Sequence, residues 1–166
     1  MKFKPSYTSS IAEDIMAERL IRAQAVEFLA DAPMRLKSGL ISPVYVDNRK
    51  LFSHPEAWRD IVETMASRVE EYDLEFDIVA GVEAAGSMHA AALAYRLGLP
   101  AIMVRQKAKT YGNHSRIEGG DVKGLRVLLL EDHISTGLSC LDAIRALREE
   151  GAQVTQVMSI TNYAIP

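Results

Sequence analysis

The chain alternates short unbroken apolar runs with stretches in which apolar residues recur every three or four positions. Unbroken runs are typical of strands buried on both faces of a parallel sheet, and periodic stretches are typical of amphipathic helices. The predicted buried strands cover residues 77–82, 100–104, 127–130 and 154–160. The predicted helices cover about residues 10–30, 53–72, 88–97 and 140–150. This alternation predicts an α/β fold with a mainly parallel central sheet and ligands at the carboxyl ends of its strands.

A smaller unit precedes the second helix. Residues 34–49 read as two short strands around a Ser–Gly turn, with Lys37 at the turn. Helical spacing of apolar residues also predicts core positions in the first and last helices. In the first helix these are Ile11, Ile15, Leu20, Val26 and Leu29. In the last helix they are Leu141, Ile144 and Leu147.

Composition narrows the class of protein. At 166 residues the chain is long enough for one domain, residues 1–166, with a sizeable core. A net charge of −3 gives no indication of a nucleic-acid or anionic-membrane partner. The single cysteine excludes an internal disulfide, no apolar run approaches the ~20 residues of a membrane span, and the N-terminus lacks a signal-peptide core. We therefore predict a cytoplasmic protein.

The most informative stretch joins the strand at 127–130 to the last helix. Glu131 and Asp132 follow the apolar run and are expected to end the strand, and a small hydroxylated loop, residues 135–139, then enters the helix. A helix N-terminus offers free N–H groups that suit a phosphate, whereas two carboxylates suit a ribose or the hydration shell of Mg²⁺. From residue types alone, ordinary helix capping explains this stretch about equally well.

Two further stretches leave alternatives open. The segment 105–119 carries Arg105, Lys107, Lys109 and Arg116 with little apolar content, which predicts an exposed, mobile loop. It is either a solvated basic loop or an electrostatic lid over a polyanion. The small-residue turn at 83–87 is either an anion site at a helix N-terminus or a tight packing turn between strand and helix.

Residues 127–139 resemble the phosphoribosyl-diphosphate (PRPP) signature of type I phosphoribosyltransferases, with Leu138 where that family usually has glycine. Residues 36–49 resemble the hood of the orotate phosphoribosyltransferases. Residues 105–119 resemble their catalytic loop, with Gln106 and Tyr111 where many members have lysine and histidine. The resemblance covers roughly residues 18–163, and longer members of the family continue past the end of this chain.

The resemblance implies the type I phosphoribosyltransferase fold, with a small N-terminal hood formed largely by residues 30–50. It implies an orotate phosphoribosyltransferase, a pentosyltransferase of pyrimidine (UMP) biosynthesis that converts orotate and PRPP to orotidine 5′-monophosphate and pyrophosphate with Mg²⁺. It also implies a homodimer in which loop 105–119 reaches the neighbouring site. Two alternatives remain: a non-catalytic PRPP-binding regulator, and a phosphoribosyltransferase for another base.

Site residues follow from the same resemblance. The implied catalytic residues are Lys109, Glu131 and Asp132. The implied PRPP-binding residues are Arg105, Lys107, Lys109, Tyr111, Glu131, Asp132, His133, Ile134, Ser135, Thr136, Gly137, Leu138 and Ser139. The implied orotate-binding residues are Lys37, Tyr45 and Ser135. Mg²⁺ is expected to be held mainly by PRPP and water, with Glu131 and Asp132 as possible ligands.

Overall fold

A computed structural model describes residues 11–36, 39, 41–108 and 115–163. The first half of the chain contains α1 (Ile11–Arg22), β1 (Val26–Phe28), β2 (Met34–Arg35), β3 (Ile41–Ser42), β4 (Val44–Val46), a 3₁₀ helix (Asn48–Ser53) and α2 (Pro55–Glu71). The second half contains β5 (Ile78–Val82), α3 (Ala85–Leu97), β6 (Ala101–Val104), β7 (Ile117–Glu118), β8 (Arg126–Ile134), α4 (Leu138–Glu149) and β9 (Gln153–Asn162). None of the described helices is long and apolar enough to cross a membrane.

Five strands form the central sheet in the order β7-β6-β5-β8-β9. The pairs β5–β6, β5–β8 and β8–β9 are parallel, and β6–β7 is antiparallel. Strand β8 shows how helices cover both faces, because successive side chains of a strand point to opposite sides. Leu128 and Leu130 pack in the core beneath α2 and α3, whereas Val127 and Leu129 pack in the core beneath α4. The predicted α/β fold with a mainly parallel sheet is confirmed.

Two small antiparallel pairs, β1–β4 and β2–β3, make up an N-terminal unit that we call the hood. The hairpin predicted at 34–49 is present as β2–β3, but Val44–Val46 leaves it to pair with Val26–Phe28. The helix predicted to about residue 30 is therefore wrong beyond Arg22. Gln24, at φ 53°, ends the helix, and the following residues find strand partners instead.

Strand β8 runs past the acid pair, so the prediction that the carboxylates end it is wrong. Its last residues stay in the sheet because β9 offers partners, with Glu131 opposite Ser159 and His133 opposite Thr161. On its other side β8 pairs with β5 only as far as Leu130. The acid pair therefore lies on a strand end that projects beyond the centre of the sheet.

Two predicted core stripes are only partly correct. Ile11 is 81% exposed and Leu141 is 51% exposed, whereas Leu20 and Leu147 are buried. The buried face of α4 is made largely of small residues, including Cys140 and Ala143, which let the helix lie close to the sheet. Helical spacing alone did not identify that face. The predicted loop 105–119 is also interrupted, because the buried Ile117 lies in β7 and pairs with Val104.

Candidate functional site

A cavity of about 540 Å³ opens at the carboxyl end of the sheet, between the hood, the end of β8 and the start of α4. The end of β8, the start of α4 and the residues next to them contribute Glu131, His133, Ile134, Ser135, Thr136, Gly137, Leu138, Ser139, Cys140 and Tyr163 to its lining. The hood contributes Met34, Arg35, Leu36, Tyr45 and Val46. The structure therefore brings most of the predicted PRPP-binding residues and the predicted orotate-binding Tyr45 to one cavity, as expected for a ligand at the carboxyl ends of parallel strands.

The loop between β8 and α4 has the geometry of an anion cradle. Gly137 is the residue before α4 and has φ 77°, a left-handed conformation that glycine adopts without strain. No side chain caps this helix end, which leaves its first N–H groups available to an anion, and Ser135, Thr136 and Ser139 line the cavity beside it. Leu138 already lies in the helix, which explains how a side chain is accommodated at that position.

The acid pair lies directly beside this loop. Glu131 is 6% exposed, and its Oε1 accepts a hydrogen bond from the Asp132 N–H at 3.2 Å. Burial, a side-chain hydrogen bond with Asp132 and the nearby Asp132 carboxylate raise the pKa of Glu131 to about 8, although the bond from the Asp132 N–H acts in the opposite direction. The Glu131 carboxyl therefore keeps its proton to a higher pH than an exposed glutamate does.

Helix α3 approaches this strand at very short range through the predicted small-residue turn. A Cβ on Gly86 would lie 2.8 Å from the Leu130 carbonyl oxygen and 3.2 Å from Oε1 of Glu131. A Cβ on Gly81 would lie 2.4 Å from the Cα of Ser87. The interpretation as a tight packing turn is thus confirmed, and anion binding at this helix end stays a prediction.

The described part of the basic segment is tied to the protein by ion pairs. Arg105 pairs with Glu118 at 2.9 Å, and Arg116 pairs with Asp142 of α4 at 2.6 Å. Gln106 bonds to Glu83 through both its backbone N–H and its side chain, whereas Lys107 is exposed. The predicted site residues Lys37, Lys109 and Tyr111 lie outside the described residues.

Sequence reasoning missed Tyr163, which closes the cavity from the end of β9. Its hydroxyl donates to the Val44 carbonyl of the hood at 2.9 Å, and its ring meets His133 edge-on with centroids 4.3 Å apart. It joins hood to core beside Tyr45. A lone tyrosine after the last strand carries no periodic or motif signal, so only the structure identifies it.

A metal site built from protein ligands alone is not evident. In the part of the chain that the structure describes, no three His, Cys, Asp or Glu side chains form a group that could hold an ion. The adjacent Asp132 and Glu131 fit an Mg²⁺ ion that keeps several waters and binds mainly to phosphate oxygens, provided that Glu131 gives up its proton to the ion.

Comparison with known proteins gives consistent matches. Residues 47–164 match the phosphoribosyl transferase domain family. The chain is similar to the orotate phosphoribosyltransferase of Coxiella burnetii, with 47% identity over 151 residues, 91% of this chain and 72% of the relative. The same enzyme of Bacillus subtilis is 39% identical over 158 residues, 95% of this chain and 73% of the relative. The crystal structure of orotate phosphoribosyltransferase from Aeropyrum pernix superposes with a TM-score of 0.74 and 28% identity, covering 89% of this chain and 93% of that one.

Proposed function

Because the chain belongs to the phosphoribosyltransferase family, and within it to the orotate phosphoribosyltransferases, we propose that it transfers the ribose 5-phosphate group of PRPP to orotate. The products are orotidine 5′-monophosphate and pyrophosphate. The observation that carries the proposal is a cavity whose lining joins the 135–139 loop, the buried Glu131 and the hood. The half-buried Asp132 follows Glu131 in the strand but does not itself line the cavity. A sugar phosphate and an acceptor base bound there would meet at the acid pair.

The cradle at 135–139 is the proposed site of the 5′-phosphate. The N-terminus of α4 supplies N–H donors and a positive dipole end, and Ser135, Thr136 and Ser139 supply hydroxyl donors. These groups carry no negative charge, in contrast to the acid pair beside them. The chain therefore separates the part of the cavity that suits a phosphate from the part that suits a sugar.

The acid pair is proposed to act on the ribose. Departure of pyrophosphate from C1 leaves positive charge on the sugar ring, as in other glycosyl transfers through oxocarbenium-like states. Asp132 supplies a nearby negative charge, and the protonated Glu131 can donate to a ribose hydroxyl while its other oxygen accepts. Because Glu131 is buried, a charge developing next to it is poorly screened by water. No covalent intermediate on the protein is required.

The leaving pyrophosphate needs cations. Lys107, Lys109 and Arg105 are proposed to supply them, and Tyr111 to add a hydroxyl donor. Arg105 already lies in an ion pair with Glu118, so its contact with pyrophosphate would require that pair to open or to be shared. Mg²⁺ held by PRPP, water and the acid pair would neutralise further negative charge on the leaving group.

The hood is proposed to bind orotate. Tyr45 and Ser135 line the same cavity as Glu131, and an aromatic ring suits the face of a planar base. Orotate also carries a carboxylate, for which Lys37 is the proposed cation. The homodimer with a shared loop 105–119 and the cytoplasmic location stay predictions.

A direct test is pyrophosphate release by the purified protein with Mg²⁺ and PRPP, before and after addition of orotate. We expect release that depends on orotate and is matched by equal formation of orotidine 5′-monophosphate. Binding of PRPP without any turnover would contradict the proposal and favour a non-catalytic PRPP-binding protein.

A further inference from the structure

The 3₁₀ helix that follows the hood begins with a fully buried amide. Asn48 is 0% exposed, and its Nδ2 donates to the Asp132 carbonyl oxygen at 2.6 Å and to Thr161 Oγ1 at 2.8 Å. Its Oδ1 is buried and finds no hydrogen-bond partner among the described residues. Turning the amide over would place Oδ1 against the Asp132 carbonyl oxygen, which can only accept, so this contact determines the orientation of the amide. A buried amide with an unsatisfied oxygen lowers the stability of the protein, so its presence calls for a functional explanation.

The two groups that Asn48 contacts belong to the projecting end of the sheet. Among the described residues, β8 pairs with β5 only as far as Leu130, and beyond it the one strand that pairs with β8 is β9. Asn48 bonds to the backbone of Asp132 in this part of β8 and to the side chain of Thr161 in β9. Thr161 Oγ1 also lies 2.9 Å from His133 Nδ1. One amide therefore ties the end of β8, where the acid pair lies, to the neighbouring strand.

The residues that follow Asn48 in the 3₁₀ helix pack in a cluster with side chains of α2 and α3. Leu51, one turn later in the 3₁₀ helix, is 0% exposed. Phe52 packs against the rings of Trp58 and His89, with centroids 5.0 and 4.8 Å away. Trp58 Nε1 donates to His89 Nδ1 at 3.0 Å, so the neutral ring carries its proton on Nε2. The cluster packs the 3₁₀ helix that begins at Asn48 against α2 and α3.

We propose that Asn48 is a positioning residue for the acid pair: its amide sets the backbone of Asp132 and so aims both carboxyl groups at the ribose. Asn48 contacts the Asp132 main chain and affects the reaction only through the position of the acid pair. This inference rests on the proposed function, because the ribose is the group at which the pair is aimed. It adds a supporting layer behind the site, in which packed rings join α2 and α3 to the 3₁₀ helix and hydrogen bonds of Asn48 join that helix to β8 and β9.

The test compares three variants of the full chain with the wild type. Asn48→Leu keeps a similar volume and removes both donors. Asn48→Asp keeps the shape, and only its protonated form can donate to the Asp132 carbonyl. Thr64→Val is the matched control, because it removes another buried hydrogen bond, from Thr64 Oγ1 to the Asp60 carbonyl at 2.8 Å, within α2.

For Asn48→Leu we expect kcat to fall about 10- to 100-fold per folded molecule, the size of effect typical of lost supporting contacts, with KM for orotate within about twofold. For Asn48→Asp we expect the ratio of its kcat to that of the wild type to fall as pH rises, as the introduced carboxyl ionises. Thr64→Val should unfold more easily and keep the kcat of the wild type.

The inference is overturned if Asn48→Leu keeps kcat within about twofold, or if Thr64→Val loses kcat to the same extent. If Asn48→Leu does not fold, the pH dependence of the kcat ratio between Asn48→Asp and the wild type is the test. A ratio that does not change with pH overturns the inference. A wild type that binds PRPP without turnover contradicts the proposed function alone. Calorimetric PRPP affinity then decides on Asn48: weakening of at least about tenfold in Asn48→Leu supports the inference, and equal affinity overturns it. A wild type that does not bind PRPP overturns both.

Discussion

Replacing Gly86 with alanine should disturb stability and catalysis together, because this residue lies where α3 meets the acid pair. The new Cβ would lie 2.8 Å from the Leu130 carbonyl oxygen, a backbone atom, and 3.2 Å from Glu131 Oε1. Relief requires a shift of several tenths of an ångström between helix and strand. Such overpacking costs about 1–3 kcal/mol. Alanine recovers about 1 kcal/mol of helix propensity, so we expect a net loss of up to about 2 kcal/mol.

Urea unfolding followed by circular dichroism measures the free energy of unfolding, and initial rates below the transition measure kcat. Gly120→Ala is the matched control, because its Cβ would meet only Ile102 Cγ2, at 3.8 Å. We expect the control to stay within about 0.5 kcal/mol of the wild type, with unchanged kcat. A Gly86→Ala protein as stable and as active as the control would refute the close packing of α3 against the acid pair.

Three further predictions concern charged groups of the site. Because the pKa of Glu131 is raised to about 8, the folded state keeps a proton that the unfolded chain releases from about pH 4.5. The free energy of unfolding of the wild type should therefore fall relative to Glu131→Gln as pH rises between these values, and urea titrations showing a constant difference would contradict this. Asp132→Asn should unfold as cooperatively as the wild type and lose most turnover; a large drop in Tm with unchanged activity per folded molecule would make the pair structural. Lys109→Ala should lose about 10²–10³-fold in kcat, and in a homodimer with shared loops its mixture with Asp132→Asn should recover up to half of the activity under subunit exchange. No recovery despite demonstrated exchange would place Lys109 in the site of its own subunit.

Much of the sheet was predictable because its strands are buried on both faces and appear as unbroken apolar runs. The end of β8 was not, since Glu131 and His133 stay in the sheet only because β9 offers partners. The buried face of α4 was partly missed because Cys140 and Ala143 are small, and a search for large apolar residues favours Leu141. Local sequence patterns predict strands and helices well, but they do not predict which elements pack against each other.

The candidate site shows the same division. The cradle and the acid pair are contiguous in sequence and were predicted as a unit. Asn48 and Tyr163 were not, because each acquires its role through contacts with residues 84 and 119 positions away. An asparagine that starts a 3₁₀ helix and a tyrosine after the last strand have no pattern of their own. Only the folded arrangement shows that one supports Asp132 and the other joins the hood to the core.

The most direct test of the central claim is a competition among bases. The purified protein is given PRPP, Mg²⁺ and equal concentrations of orotate, hypoxanthine, guanine and uracil, and each nucleotide product is quantified by chromatography at early times. The similarity to orotate phosphoribosyltransferases, together with the proposed pairing of Lys37 with the carboxylate of orotate, predicts that orotidine 5′-monophosphate forms fastest. Faster formation of a product from hypoxanthine, guanine or uracil would contradict the assignment of orotate as the acceptor.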